Sequence, residues 1–592
     1  MKRDLMKIIE KNHFLFALLI YVLLTIIFTW PLILNLQKLV AQNYHYILRY
    51  EVPENWFKVY ASDSIVHISY IWFFKQSIIN FKDPHFTNYM FTGIYNPFNF
   101  GYSPLSYLQC FIGAIITIFS NDPIFAFNIV SILTFTLCGF FMYYLIFNLT
   151  KNRTAALFSG IFYAFNTLRM RNFVVGSFNP LGNYFIPLVF LFFWKTFREK
   201  NYKDAILAGF FFSLQVISDL QYTYFTLFFL ILYFIFEIFF QKNFDKKIVK
   251  CLALSIVAAL PLTLYTIYPI LTLHLEGKIA HFSYSDITLI APSLLNFFIK
   301  KPCIFVSPAE FGNCVPFEYI SIVILVLALM IVFLRRDKFI YFLIFCSLFF
   351  FILTLGSFTG EPLLKPLANF SPYKIFWNII PGFSLLRMPQ RWGMLTYLCL
   401  CCLASFSYVE ILKRIKKKYH NFVNFIVVLF LVIDIGIFPL PIFEPDLRYP
   451  AYVWLKQQPG DFTILEYPLF LHAHSINQNY MFYITIHQKR TVNGYSDIAT
   501  LEYEKIYPIL NNITSFQALK LLEDFNVKYI LVHPYLVNFT TESEMRGYHD
   551  VVTFLSLINK DKNIIPTEEP FIKLILIKIF NDTLIYEIRR AN

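Results

Sequence analysis

The amino-acid sequence predicts a polytopic α-helical membrane protein of about eleven transmembrane helices, followed by a C-terminal extracytoplasmic α/β domain. Three observations predict it. Hydrophobic residues make up 57% of the 592 positions and charged residues only 15%, where a soluble domain carries about 25% charge. The apolar residues fall in runs near the ~20 positions that cross a bilayer, separated by short basic clusters. From Pro439 onward the chain turns more polar, and strand-like runs mix with helical spacing. This composition excludes a cytosolic enzyme, a disordered chain and a disulfide-rich secreted module.

Spans are expected near 14–34, 124–149, 154–168, 180–197, 204–219, 221–240, 249–272, 317–334, 338–356, 391–410 and 421–442. The first reads as a signal anchor, since its apolar run is too long for a cleaved signal peptide and lacks a small-residue cleavage site. With the N-terminus in the cytoplasm, every basic cluster falls on that side: Lys2 and Arg3, Lys151 and Arg153, Arg198 and Lys200, Lys246 and Lys247, Arg335 and Arg336, Lys413 to Lys418. That is the positive-inside pattern. The run 105–119 could cross, but doing so would export most later clusters, so it reads as an interfacial or re-entrant helix. The net charge of +13 is dispersed between spans and not gathered on one face, which excludes a nucleic-acid partner.

The division that follows is a transmembrane unit, 1–442, with external loops 35–123 and 273–316, and an extracytoplasmic α/β domain, 443–592. The prolines within 439–446 mark the linker. In the tail, helices are expected at 451–457 and 515–525, strands at 462–467 and 527–532, and a closing hairpin at 571–580 and 583–588 around Asn581 and Asp582. Seven cysteines sit in apolar runs as small hydrophobes. Cys303 and Cys314 share one external loop and are candidates for a disulfide.

Acidic residues on the outer face are few. Asp63 opens a helical stripe of Ile68, Ile71, Trp72 and Phe74 at the membrane surface. Local sequence allows two readings: Ser62 or Asp63 is an ordinary helix N-cap, or Asp63 is a general base or metal ligand shielded from water. His67 lies one helical turn on and faces the same side. Asp219, before Gln221 and Tyr222, sits at an outer mouth between spans, where a carboxylate is either a turn residue or functional. Asp122 before Pro123 reads as a cap, with a second acidic role at Asp63's metal as the alternative. Asp286 and Glu318 are loop polarity or ligand contacts. Arg169, Arg171, Arg387 and Arg391 lie at outer span ends, where a guanidinium either snorkels or grips phosphate in bidentate fashion. Pro389 makes a turn between the last two, which favours them as a phosphate clamp.

The order of these features resembles a known family. Asp63 is followed by Asn96-Pro97, Gly101-Tyr-Ser-Pro104 and Asn121-Asp122-Pro123. Lys151-Asn-Arg-Thr-Ala-Ala156, Gly160, Arg169-Met-Arg171 and Ile186-Pro187 come next. Further on are Ser285-Asp286, Glu318-Tyr319, Leu386-Arg387-Met-Pro-Gln-Arg391-Trp392, Leu465-Glu466-Tyr-Pro468, Val492-Asn-Gly-Tyr-Ser496 and Val527 to His533. The pattern, spread over nearly the whole chain, resembles the GT-C superfamily of integral membrane glycosyltransferases, in its bacterial branch of protein-mannosyltransferase-like and YfhO-like proteins. Relatives often carry Gly-His where this chain has Gly176-Ser177. The resemblance implies a polyprenyl-phosphate sugar donor drawn from membrane lipid and a glycan or protein acceptor. It also implies Asp63 as base or as ligand of a divalent cation (Mg2+ or Mn2+), acting at the outer face of the cell membrane. Two other classes stand beside this one: a transporter or flippase of lipid-linked saccharide, expected to show mid-span charge pairs or an inverted repeat, and a non-catalytic cell-surface assembly protein.

Overall fold

A computed structural model describes residues 12–41, 57, 59–60, 62–103, 105–278, 283–284, 287, 292–299, 319–360, 362–386, 388–435, 440–498, 500–539 and 545–590. Asp286, Glu318, Arg387, Cys303 and Cys314 lie outside the described residues.

The membrane unit is a helical array: α1 His13–Phe28, α2 Asp63–Ile79, α3 Tyr107–Ser120, α4 Pro123–Thr150, α5 Arg153–Phe165, α6 Thr167–Val175, α7 Ile186–Glu199, α8 Tyr202–Ser218, α9 Leu220–Ile235, α10 Lys246–Leu275, α11 Ile322–Leu334, α12 Lys338–Thr354, α13 Pro372–Ile379, α14 Gly393–Arg414 and α15 His420–Ile435. A helix stands in each of the eleven expected spans. Among the described residues, four stretches are long and apolar enough to cross a membrane: Pro123–Thr150, Leu220–Phe240, Lys246–Leu275 and Pro389–Arg414. Others are shorter; α5, with 13 residues, rises only about 20 Å. The apolar side chains of Leu19, Leu23, Leu260, Leu264, Leu329, Phe333, Phe345 and Phe425 are exposed, a pattern that suits lipid and not water.

Local chemistry sets the helix ends. Asp122 caps α4, its Oδ1 accepting from the N–H groups of Ile124 (2.9 Å) and Phe125 (3.0 Å), with Pro123 in the first turn. Such a carboxylate satisfies orphan donors and opposes the helix dipole. The span expected at 154–168 ends early. Asn166 leaves helical geometry and its side chain accepts from the N–H of Arg169, starting the separate α6.

In the tail, α16 Pro450–Gln457, α17 Ser475–His487, α18 Leu501–Asn511, α19 Phe516–Asp524 and α20 Tyr548–Lys560 surround a sheet. Ten strands are described: β1 Val40–Ala41, β2 Phe86–Thr87, β3 Phe98–Asn99, β4 Ile442–Phe443, β5 Thr463–Tyr467, β6 Arg490–Thr491, β7 Val527–Val532, β8 Ile564–Ile565, β9 Ile572–Phe580 and β10 Thr583–Arg590. The six-stranded sheet runs β6-β5-β7-β10-β9-β8. β5 is parallel to β6 and β7, and the closing hairpin β9–β10 is antiparallel.

The tail is bound closely to the segment between α1 and α3. β4, within the expected linker, pairs with β1 in the register Val40↔Phe443. Backbone bonds join Thr92 N–H to Thr491 O (2.9 Å) and Thr491 N–H to Tyr89 O (3.1 Å), covering the β6 edge. Asn479 of α17 clamps both backbone groups of Tyr60, accepting from its N–H (2.8 Å) and donating to its carbonyl (2.9 Å). One apolar core runs continuously from α2 and α3 into the tail, and a second fills the helical array.

Candidate active site

Ser62 is the N-cap of α2, its Oγ accepting from Ser64 N–H at 3.2 Å. The cap is therefore supplied by the neighbour, and Asp63 stands in the first turn, where the helix dipole favours a carboxylate. Its Oδ2 accepts a hydrogen bond from the hydroxyl of Ser177. That contact depends on Gly176, the C-cap of α6, which adopts φ +86°. A Cβ at this position would lie 2.5 Å from the backbone N of Ser64, so only glycine lets the end of α6 meet the start of α2.

Asp63 and His67, one turn apart, open into a cavity of about 590 Å³. His67 is buried, 6% exposed, and its Nδ1 has no hydrogen-bond partner among the described residues. Burial pulls its pKa down to about 3, so the imidazole is neutral at physiological pH. Asp219 reaches the same cavity from the start of α9, where its carboxylate accepts from Tyr222 N–H as N-cap. Arg391 enters from the turn Pro389–Trp392 and donates from Nη1 to Gln221 Oε1. Trp392 fixes that turn: it is fully buried and stacks on Phe225 with ring centroids 3.9 Å apart.

The cavity is amphipathic. Phe212 and Val216 of α8, Leu227 of α9 and Ile267 of α10 line an apolar part, whereas Asp63, His67, Ser177, Asp219, Gln221 and Arg391 line a polar part. Tyr495 and Asp497 of the tail complete the wall. A cavity with apolar walls that also holds a cation and carboxylates suits an amphipathic ligand.

Of the residues singled out from sequence, Asp63, His67, Asp219 and Arg391 share this cavity. Arg169, Arg171 and Asp122 do not line it. Arg169 is fully buried, and its guanidinium donates to the carbonyls of Ala164 (3.1 Å), Leu181 (3.1 Å) and Thr134 (3.3 Å) and to Asn183. It ties the α6 region together. The carboxylate of Asp122 is spent on its helix cap. Ser177, Gln221, Tyr495 and Asp497 join the site without a sequence signal of their own; Ser177 stands out only as a departure from Gly-His, and Asp497 only as the residue after the Asn-Gly-Tyr-Ser run. Among the described residues no group of three or more His, Cys, Asp or Glu side chains is arranged to hold a metal ion. The described residues therefore do not make a cation site by themselves.

No curated protein matches the chain by sequence. The mycobacterial arabinofuranosyltransferase AftD aligns in structure with a TM-score of 0.52 at 12% identity, over 98% of this chain and 40% of that one. The Archaeoglobus fulgidus oligosaccharyltransferase aligns with a TM-score of 0.45 at 12% identity, over 88% of this chain and 68% of that one. ArnT from Cupriavidus metallidurans, bound to undecaprenyl phosphate, gives 0.40 at 11% identity over 97% of each chain. The first likeness shows a fold shared with that enzyme, of whose length this chain spans only about two fifths. A family model described as "6-pyruvoyl-tetrahydropterin synthase related domain; membrane protein" matches residues 98–438. Matched by that model over more than half its length, the protein belongs to the 6-pyruvoyl-tetrahydropterin synthase related family of membrane proteins.

Proposed function

We propose that this protein is a membrane glycosyltransferase that moves a sugar from a polyprenyl-phosphate donor to an acceptor hydroxyl at the outer face of the membrane. One observation carries the reading: a single cavity is lined both by apolar side chains of α8, α9 and α10 and by Asp63 and Arg391. In this reading the isoprenoid chain lies along the apolar side chains and Arg391, steadied by Gln221, holds the donor phosphate. Asp63 takes the acceptor proton as the hydroxyl attacks the anomeric carbon. The leaving group is already an anion, so its departure needs charge stabilisation and no strong acid. Ser177 steadies Asp63, and neutral His67 offers a hydrogen bond without competing as a base. The AftD, oligosaccharyltransferase and ArnT neighbours support sugar transfer as the class of reaction, and the lipid phosphates named with two of them support the donor.

Loss of transfer on chelation, restored by Mg2+ or Mn2+, would establish a cation held by Asp63 together with residues outside those described. The test of the function itself is Asp63→Asn in reconstituted full-length protein. Transfer from an undecaprenyl-phosphate sugar should fall by about 10²–10⁴-fold while the protein stays folded. Transfer independent of Asp63 would refute the mechanism, and lipid-linked saccharide crossing the bilayer without transfer would identify a flippase.

A further inference from the structure

We propose that the tail builds half of the acceptor subsite, with Asp497 and the phenol of Tyr495 holding a hydroxyl of a neutral saccharide opposite Asp63. The proposal rests on the sugar-transfer reading above and adds to it the chemical class of the acceptor.

The loop from Gly494 to Ile498 lies between β6 and α18 and lines the same cavity as Asp63 and His67. Its position is fixed by a set of bonds to the segment between α1 and α3. Ser496 Oγ donates to Tyr102 O (2.9 Å), Ile498 N–H donates to Tyr102 O (3.1 Å), and Asp497 N–H donates to Ser103 Oγ (3.3 Å). Ser496 N–H is held in turn by His472 O (3.2 Å). Gly494 sits against the ring of Phe91, where a Cβ would come within 2.6 Å of ring carbons. The loop is thus placed by the membrane unit and not by the tail alone.

Asp497 Oδ1 accepts from Tyr495 OH at 3.2 Å. The phenols of Tyr70 and Tyr495 are raised well above their usual pKa, chiefly by burial and then by the charges of both Asp497 and Asp63. Both carboxylates therefore act on the same end of the cavity. The phenol's one proton rests on Asp497; turned toward a bound hydroxyl it donates there while the carboxylate accepts, the complement of a sugar hydroxyl, which both donates and accepts. Two carboxylates also oppose an anionic acceptor, while the anionic donor head is drawn to Arg391. The step balances: the acceptor oxygen bonds to the anomeric carbon, the anomeric carbon–oxygen bond to phosphate breaks, polyprenyl phosphate leaves with the electron pair, and the acceptor proton passes to Asp63.

The experiment is equilibrium binding to the full chain in lipid nanodiscs. The probes are neutral octyl pyranosides and furanosides, an octyl glucuronide, and undecaprenyl phosphate. For Asp497→Asn we expect neutral glycosides to bind at least tenfold more weakly, the preference for neutral over anionic glycoside to shrink, and undecaprenyl phosphate to bind within twofold of the parent. Glycoside binding unchanged in Asp497→Asn, or no neutral glycoside binding to a parent that does bind undecaprenyl phosphate, would overturn the proposal. A parent that fails to bind undecaprenyl phosphate would instead defeat the donor reading beneath it. Should Asp497→Asn lose both ligands through misfolding, Tyr495→Phe decides. It leaves every loop bond to the membrane unit in place, and it should weaken neutral glycosides about threefold or more; no change there overturns the proposal.

Discussion

Gly176→Ala tests the contact that sets Asp63 in place. The added Cβ would lie 2.5 Å from both Cβ and N of Ser64 and 2.8 Å from its Cα. Carbon atoms at rest are about 3.5–4.0 Å apart, so the end of α6 must retreat by about 1 Å. Two of the obstructing atoms belong to the α2 backbone, and no rotamer change relieves the overlap. The φ of +86° adds about 1–2 kcal/mol for a residue with a side chain. Ser177, the next residue, would be drawn off Asp63, and a misplacement of that size costs about 10²-fold in rate. The assay is transfer from an undecaprenyl-phosphate sugar by reconstituted protein, with binding of undecaprenyl phosphate as the check on folding. Ser177→Ala, which removes only the hydrogen bond, should lose about tenfold. Transfer by Gly176→Ala within twofold of the parent would refute the reasoning.

Three further outcomes are expected. Arg391→Gln should weaken undecaprenyl phosphate binding about 10- to 100-fold, the worth of a hydrogen bond to a charged group; unchanged affinity would remove Arg391 from the donor site. Asn479→Ala orphans the N–H and carbonyl of Tyr60 together, at about 1–3 kcal/mol for each buried group, so thermal unfolding of the full chain should shift down clearly. His67, held down to about 3 by burial, binds its proton more readily when unfolded, so it adds to stability above pH 6.5 and that contribution is lost as pH falls toward 3. At pH 5 the loss is about 2 kcal/mol. Wild type should therefore lose stability between pH 7 and 5 relative to His67→Gln, and parallel pH profiles would contradict the buried neutral imidazole; His487, likewise depressed to about 3, contributes equally to both.

How much of this could be read from sequence depended on whether the signal was local. Apolar runs and caps such as Asp122-Pro123 mark the helices of the membrane unit, and the strand Val527–Val532 and the closing hairpin follow from β-rich runs around turn residues. The helix Ser475–His487 escapes such reading because its polar residues, Asn477, Gln478 and Asn479 among them, are spread round it and buried with the apolar ones. It is buried on nearly every side and packs against α2 and α16, so its apolar residues show no stripe. The site divides in the same way. Asp63 and His67 are joined by a helical turn, which sequence spacing reveals. Asp497 meets them only through the docking of the 494–498 loop on Tyr102 and Ser103, a contact between positions nearly 400 residues apart. Arg169 and Arg391 look alike in sequence, each a cation at the end of an expected span. What separates them is the surrounding carbonyls that absorb one guanidinium and the Trp392 stack that turns the other into the cavity.

The most direct measurement is a structure of the full chain in nanodiscs with undecaprenyl phosphate bound. The account predicts isoprenoid density in the cavity beside Phe212, Leu227 and Ile267, with the phosphate on Arg391 and Asp63 facing the space a sugar would fill. Lipid phosphate bound outside this cavity, or seated with Asp63 walled away from it, would contradict the account.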